Sequence, residues 1–319
     1  MQEIYRKYCR EQALYLPVFA QDWWLDAVCT DGLWDAAVVM DQGGVRAVLP
    51  WFLKQKAGFR YITMPHFTKH LGPFFADNYS LTEQHQLMEA LIAQLPRVHA
   101  FHQNFHPDLT NWLPFYWAGY RQTTRYTYCL DLRDPAQVQR NINRNMRRNI
   151  KKAQAKLTVS HEGTPEAFYA INRLSFERQG LSTPYTFEQF ARQDAALAAR
   201  AARQFFFAKD AAGRTHAAAC LVRDARRSYY HLSGDDPALR DSGAGILLVW
   251  EAIRYTQEVW QLPIFDFSGS MVPNIEAIRR QFGAVQSPYS YVWKHHSPLL
   301  AWIDAWRAAG KRIICREGL

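Results

Sequence analysis

Arg240-Asp241-Ser242-Gly243-Ala244-Gly245 joins a strand expected at residues 228–233 to an apolar helix expected at 245–260, and its reading decides the fold. Two glycines let the backbone approach a ligand closely. The first amides of the following helix have no intrahelical partner and lie at the positive end of its dipole, an arrangement that suits phosphate. Arg240 adds a donor fork for the same anion. The six residues alone suit a plain helix cap equally well, with Asp241, Ser242 and Gly243 closing the first turn. The rest of the chain must separate the two.

At 319 residues the chain is long enough for two domains or one duplicated unit. Thirty-eight Lys and Arg against 29 Asp and Glu give a net charge of +9, which favours an anionic partner: nucleotide, CoA, tRNA or an anionic membrane surface. No apolar run approaches the roughly 18 residues of a membrane span, and no signal-peptide pattern opens the sequence. The expected location is cytoplasmic, with peripheral contact at the inner face of the membrane as an option. Cys9, Cys29, Cys129, Cys220 and Cys315 are odd in number and scattered, which fits reduced thiols rather than disulfides or zinc.

Two turn motifs recur at nearly equal offsets. Asp41-x-x-Gly44 between two β-rich runs returns as Asp210-x-x-Gly213, and Gly119-x-x-Gln122 before a Tyr-rich strand returns as Gly283-x-x-Gln286. This predicts a duplicated αβ unit. The expected organisation is an N-terminal domain at 1–134, a basic inter-domain helix at 135–160, a second domain at 161–296 and an amphipathic tail at 297–319. Where the second copy has its glycine turn, the first has Lys69-His70-Leu71-Gly72-Pro73, so only the second is equipped for phosphate. Lys69 and His70 are candidate substrate contacts instead.

The densest charge is Arg140, Arg144, Arg147, Arg148, Lys151, Lys152 and Lys156, with no acidic residue between Asp134 and Glu162. Helical spacing puts most of these on one face, where like charges repel unless an anion visits; a solvated surface is the plainer reading. Arg144 and Arg147 are the candidate contacts. Glu177 and Arg178, near a helix end, can enter a cleft or form a surface pair. Asp266 and Ser268 lie in a strand expected at 264–268 and Ser270 just beyond it, at the strand end where open αβ sheets place ligands. In the tail, Leu299, Trp302, Ile303, Trp306 and Gly310 follow helical spacing with Arg307, Lys311 and Arg312 near the end. An amphipathic helix over 298–313 follows, docked on its own protein or on an anionic membrane.

Arg240-x-x-Gly243-x-Gly245 resembles the pyrophosphate loop of the GNAT acyltransferases, and Asn274-Ile275-Glu276-Ala277-Ile278-Arg279-Arg280-Gln281-Phe282-Gly283-Ala284 resembles the Asn…aromatic-Gly helix that follows it there. The duplication, the basic helix and the 265–270 stretch are similar to the Fem-type branch, the peptidoglycan-bridge aminoacyltransferases, and the likeness covers residues 20–295. It implies an α/β fold of mixed sheets in two tandem GNAT-like domains, with the acyl donor in the second and the acceptor mainly between them. One departure stands out: no coiled-coil arm fits between Glu162 and Arg203. A CoA thioester is therefore the preferred donor, with aminoacyl-tRNA and a peptidoglycan precursor as the alternative pair.

By this resemblance Arg240, Ser242, Gly243, Ala244 and Gly245 hold the donor, Asp266 or Glu177 is the base and Tyr230 the proton donor. Backbone amides of 229–233 would polarise the carbonyl. Lys69, His70, Arg144, Arg147, Arg178, Ser268 and Ser270 would meet the acceptor. No metal is expected: His66/His70 and His102/His106 have the spacing of helical ligand pairs, but Pro65 and Pro107 interrupt the helices they would need. Ser242 and Ser268 lack the context of a nucleophile elbow, so direct transfer to an amine is expected. A non-catalytic RNA- or envelope-binding protein on a decayed transferase fold is the competing class.

Overall fold

The computed structural model describes residues 1–269 and 271–303. In chain order, α1 (Gln2–Glu11) and α2 (Asp22–Val28) precede β1 (Leu33–Asp41), β2 (Gly44–Lys56), β3 (Phe59–Thr63) and β4 (Phe74–Phe75). Then come α3 (Leu81–Ala93), β5 (Ala100–Asn104), α4 (Leu113–Trp117) and β6 (Arg121–Asp131). The later part holds α5 (Pro135–Asn141), α6 (Arg144–Gln154), β7 (Thr158–Ser160), α7 (Pro165–Glu177), α8 (Phe187–Ala198), β8 (Arg203–Lys209), β9 (Thr215–Arg223) and β10 (Arg227–Asp235). It ends with α9 (Ala244–Glu258), β11 (Ile264–Asp266), α10 (Pro273–Gln281) and β12 (Val285–His295).

The repeated turns have repeated jobs. Asp41 accepts from the Gly43 amide at 2.8 Å between β1 and β2, and Asp210 accepts from the Ala212 amide at 3.0 Å between β8 and β9. Gly119 and Gly283 sit at φ of 79° and 80° after α4 and α10, a left-handed conformation that favours glycine. Each half has the same order: three antiparallel strands, a helix, a parallel strand, a short helix, a long strand.

Contacts divide the chain into two units, one of residues 1–10, 29–124 and the chain from Tyr289, the other of residues 11–28 and 125–288. These lines differ from the boundaries expected at 134, 160 and 296. The final strand of each half explains part of the difference. Residues Tyr291 to His295 of β12 pair with β5 in the first unit, while Cys129 to Asp131 of β6 pair with β11 in the second. The basic segment also stands inside the second unit rather than between domains, because α6 buries Met146, Ile150 and Ala153 in that unit's core. It is two helices, not one: Ile142 is extended at ψ 126°, and the Asn143 side chain caps α6 by accepting from the Asn145 amide at 2.8 Å.

The first unit's core gathers Met88, Leu91, Phe101, Phe105 and Phe115, and the second's gathers Phe206, Leu248, Ile253, Phe265, Phe267 and Phe282. Helix α7 lies tight on β10. The Asn172 side-chain amide donates to the Ser233 carbonyl at 2.8 Å, and a Cβ on Gly234 would stand 2.4 Å from the Asn172 Cα. Backbone cannot yield as a side-chain tip can. Gly234→Ala should therefore destabilise the protein by about 3 kcal/mol, the upper end for overpacking, as read by urea denaturation.

The tail turns helical at residues 298–303, with the Ala301 amide bonded to the Ser297 carbonyl at 3.1 Å. The rest of the expected amphipathic helix, 304–313, lies outside the described residues. Among the described residues no helix is long and apolar enough to cross a membrane.

Candidate active site

Strands β10 and β11 run parallel through Arg227↔Ile264, Ser228↔Phe265 and Tyr229↔Asp266, and then part. Beyond that point β10 continues to Asp235, held on its other edge by β9. Its register against β9 slips between Tyr230 and Leu232, leaving a bulge at His231. A bulge re-aims the backbone groups beside it. Among the described residues no strand continues the ladder of β10 on the β11 side beyond Tyr229.

A 3-10 turn, Pro237–Ser242, carries β10 into α9. Gly243, the N-cap of α9, has φ 78°, and the Ser242 hydroxyl accepts from the Ala244 amide at 3.3 Å. The α6 residue Ala153 places its Cβ 3.3 Å from where a Gly243 Cβ would stand, so α6 flanks this turn. Over Gly245 a Cβ would meet nothing within 4 Å. The first turn of α9 thus opens on free space, with amides that no intrahelical carbonyl can reach and a helix of 15 residues behind them. These residues fit a phosphate group.

Arg240 is half-exposed, its Nε 2.6 Å from Asp235 Oδ2. The same oxygen has Arg178 Nη1 at 3.7 Å, and Asp235 Oδ1 accepts from the Ser175 hydroxyl at 2.9 Å. Two nominated residues, Arg178 and Arg240, therefore meet on one carboxylate. Asp235 itself carried no distinguishing sequence signal.

Tyr230 packs near Phe265, with ring centroids 6.3 Å apart. Burial raises its pKa well above the ordinary tyrosine value, so the hydroxyl stays protonated and can act as a donor. Arg279 of α10 lies over the Phe267 ring at 5.3 Å, and its buried Nε has no hydrogen-bond partner among the described residues. Burial pulls its pKa down to about 10, which leaves it charged at neutral pH. Arg279 stands within the α10 motif, where nothing local in the sequence shows which helix face turns inward.

Asp266 is wholly buried. Its Oδ1 accepts from the Thr127 hydroxyl at 2.5 Å and the Ser268 amide at 2.7 Å, and Thr127 accepts in turn from the Gly269 amide at 2.8 Å. This clamp holds a turn in which Ser268 and Gly269 take φ of 60° and 81°. The Ser268 hydroxyl is buried beside the parting strands with no partner among the described residues. Ser270 lies outside them.

Burial raises the Asp266 pKa, with Thr127 and Arg227 opposing. A carboxyl whose folded pKa exceeds its unfolded value binds more protons when folded, so its stabilising share is full below about pH 4 and is lost as pH rises through the folded value. The stability of Asp266→Asn relative to wild type should accordingly grow as pH rises from about 4. Urea denaturation at stepped pH checks the slope.

The remaining nominated residues lie elsewhere. Glu177 pairs with Arg173 at 3.0 Å on the exposed side of α7, not with Arg178, which faces Asp235. Arg144 and Arg147 are exposed on α6, and Arg147 donates to the Gln139 carbonyl at 3.4 Å. Lys69 and His70 belong to the first unit. The Lys69 carbonyl accepts from Asn104 at 3.1 Å, and the buried His70 ring lies 4.5 Å from Tyr289 and 6.0 Å from His106.

Comparison with known proteins fits this geometry. Residues 137–271, all within the second unit, match the acetyltransferase (GNAT) domain family. Among solved structures, FemX is similar at 14% identity and a TM-score of 0.64, covering 85% of this chain and 91% of that one. A tandem GNAT protein from the clavulanic acid biosynthesis pathway follows at 13% and 0.57, covering 93% and 96%. L-PGS from Bacillus licheniformis follows at 12% and 0.53, covering 89% and 94%. No curated protein matches the chain. The protein has a tandem GNAT-like fold, and the stretch matched by the GNAT domain model lies in its second unit.

Proposed function

We propose that the second unit transfers an acyl group from a CoA thioester to an amine by direct attack. The observation that carries this reading is the coincidence, within one unit, of parting strands and an open phosphate-type helix start, joined by a single short turn. The donor's pyrophosphate lies on the α9 amides with Arg240 beside it, and its acyl carbonyl lies beside 230–233, where backbone amides polarise it. The amine nitrogen bonds to the carbonyl carbon, the C–S bond breaks, the Tyr230 hydroxyl protonates the departing sulfur, the amine's surplus proton passes to water, and water returns a proton to the Tyr230 oxygen. Asp266 acts as a positioning residue, holding the 267–269 turn. Arg279 and Ser268 offer unspent donors to the acyl or acceptor group.

Incubation with acetyl-CoA and a panel of primary amines, read by mass spectrometry, tests this. One amide formed per thiol released is expected; an amine panel that leaves the thioester intact opposes it.

A second reading, an aminoacyl-tRNA donor and a peptidoglycan-type acceptor, is favoured by the basic surface of α6, which flanks Gly243 through Ala153. Among the described residues no carboxylate pairs with Arg144, Arg147, Arg148, Lys151 or Lys152. If a polyanion rests there, replacing Arg144 and Arg147 together with alanine should reduce the salt slope of tRNA binding by about 1.5 and leave thermal stability unchanged. An unchanged slope makes these arginines ordinary surface.

A further inference from the structure

The first unit contains a cavity of about 440 Å³ between the end of α3, the loop into β5, and β12, within the size range of small-molecule sites. Its floor is apolar. Ile92, Leu95, Val98 and Phe101 line it, and the first three are only partly buried against the core beneath, so their apolar surface remains available.

Its rim is cationic. Arg97 and Lys294 supply the charge at the opening beside His296, whose pKa burial lowers, and among the described residues no acidic side chain lines it. Lys294 is half-buried, its Nζ donating to the Ala118 carbonyl at 2.6 Å and standing 5.1 Å from the Tyr120 ring. The Tyr120 hydroxyl, its pKa pushed up to about 12 by burial, is a neutral donor in the same wall. Among the described residues none of the three rim groups forms an ion pair. A half-buried ammonium whose partners here are a carbonyl and a ring face attracts an anion more strongly than a fully solvated one does.

We propose that this cavity binds an amphipathic anion, a carboxylate or phosphate head on an aliphatic body, with the head on Lys294 and Arg97 and the body on Ile92, Leu95, Val98 and Phe101. The α9 anion site described above is in the other unit, so this binding is independent of the donor. Free fatty carboxylates and alkyl phosphates share the chemistry.

Calorimetric titration of the full chain with decanoate, decyl phosphate and decylammonium, each below its micelle-forming concentration, tests the proposal. At least one of the two anions should bind at a single site with Kd below about 1 mM, and the cation at least tenfold more weakly. Which anion binds more tightly distinguishes the sources. Lys294→Met should weaken anion binding about tenfold, and Leu95→Trp, which fills the cavity, should abolish it, while Arg240→Ala leaves it unchanged. Equal binding of anion and cation, or anion binding untouched by Lys294→Met, would overturn the proposal whether or not the tryptophan variant folds.

Discussion

Gly245→Asp is expected to weaken CoA-thioester binding about 10- to 150-fold while leaving the fold as stable as before or slightly more so. The two effects have opposite signs for one reason. Gly245 is the second residue of α9, its Cβ direction is open, and its φ is not in the left-handed region, so aspartate fits without strain. An acidic side chain in a first helical turn stabilises the helix by about 0.3–1 kcal/mol through the dipole. The same charge stands where a pyrophosphate must approach and repels it. A plain helix cap predicts the stability gain and no change in binding, so titration and thermal denaturation of one variant separate the two accounts. Arg240→Ala should cost less, because Arg240 already shares Asp235 with Arg178.

Tyr230→Phe should lower kcat by about 100- to 10,000-fold with little change in KM, the range for loss of a positioned acid. The ring packing against Phe265 survives the substitution, and only the hydroxyl is removed. Stability should change by no more than about 1.5 kcal/mol. Thiol release from acetyl-CoA with the best amine substrate, followed over substrate concentration, gives the split between kcat and KM. A stability loss with unaltered turnover would make Tyr230 a packing residue.

The turn from Arg240 to Gly245 was legible because its information is local: glycines where backbone must bend, then an apolar helical period. The duplication was legible for the same reason, since Asp41/Gly44 and Asp210/Gly213, and later Gly119 and Gly283, each solve a turn within a few residues. What stayed hidden is non-local. Nothing near Tyr291 indicates that it will pair with Asn104, and nothing near Cys129 points to Asp266, yet these pairings decide which unit each strand completes. The break at Asn143 was missed because a basic period continues across it, and a single Asn cap outweighs that period. Residues 2–11 offered little beyond scattered aromatics, although α1 buries Tyr5, Tyr8 and Cys9. Among the candidate site residues, Arg178 and Arg240 stand out by type and position, and the structure brings both to Asp235. Arg279 needed knowledge of which face of α10 meets Phe267, and Asp266 needed knowledge of its full burial.

The central claim is that the start of α9 receives the donor's phosphates. Amide hydrogen exchange of the wild-type chain, with and without saturating acetyl-CoA, tests it at the residues concerned. The account predicts slowed exchange at Gly245 and Ile246 and along 230–233, with the remaining amides of α9 unchanged. Unaltered exchange at Gly245 and Ile246 under conditions where acetyl-CoA is bound would contradict it.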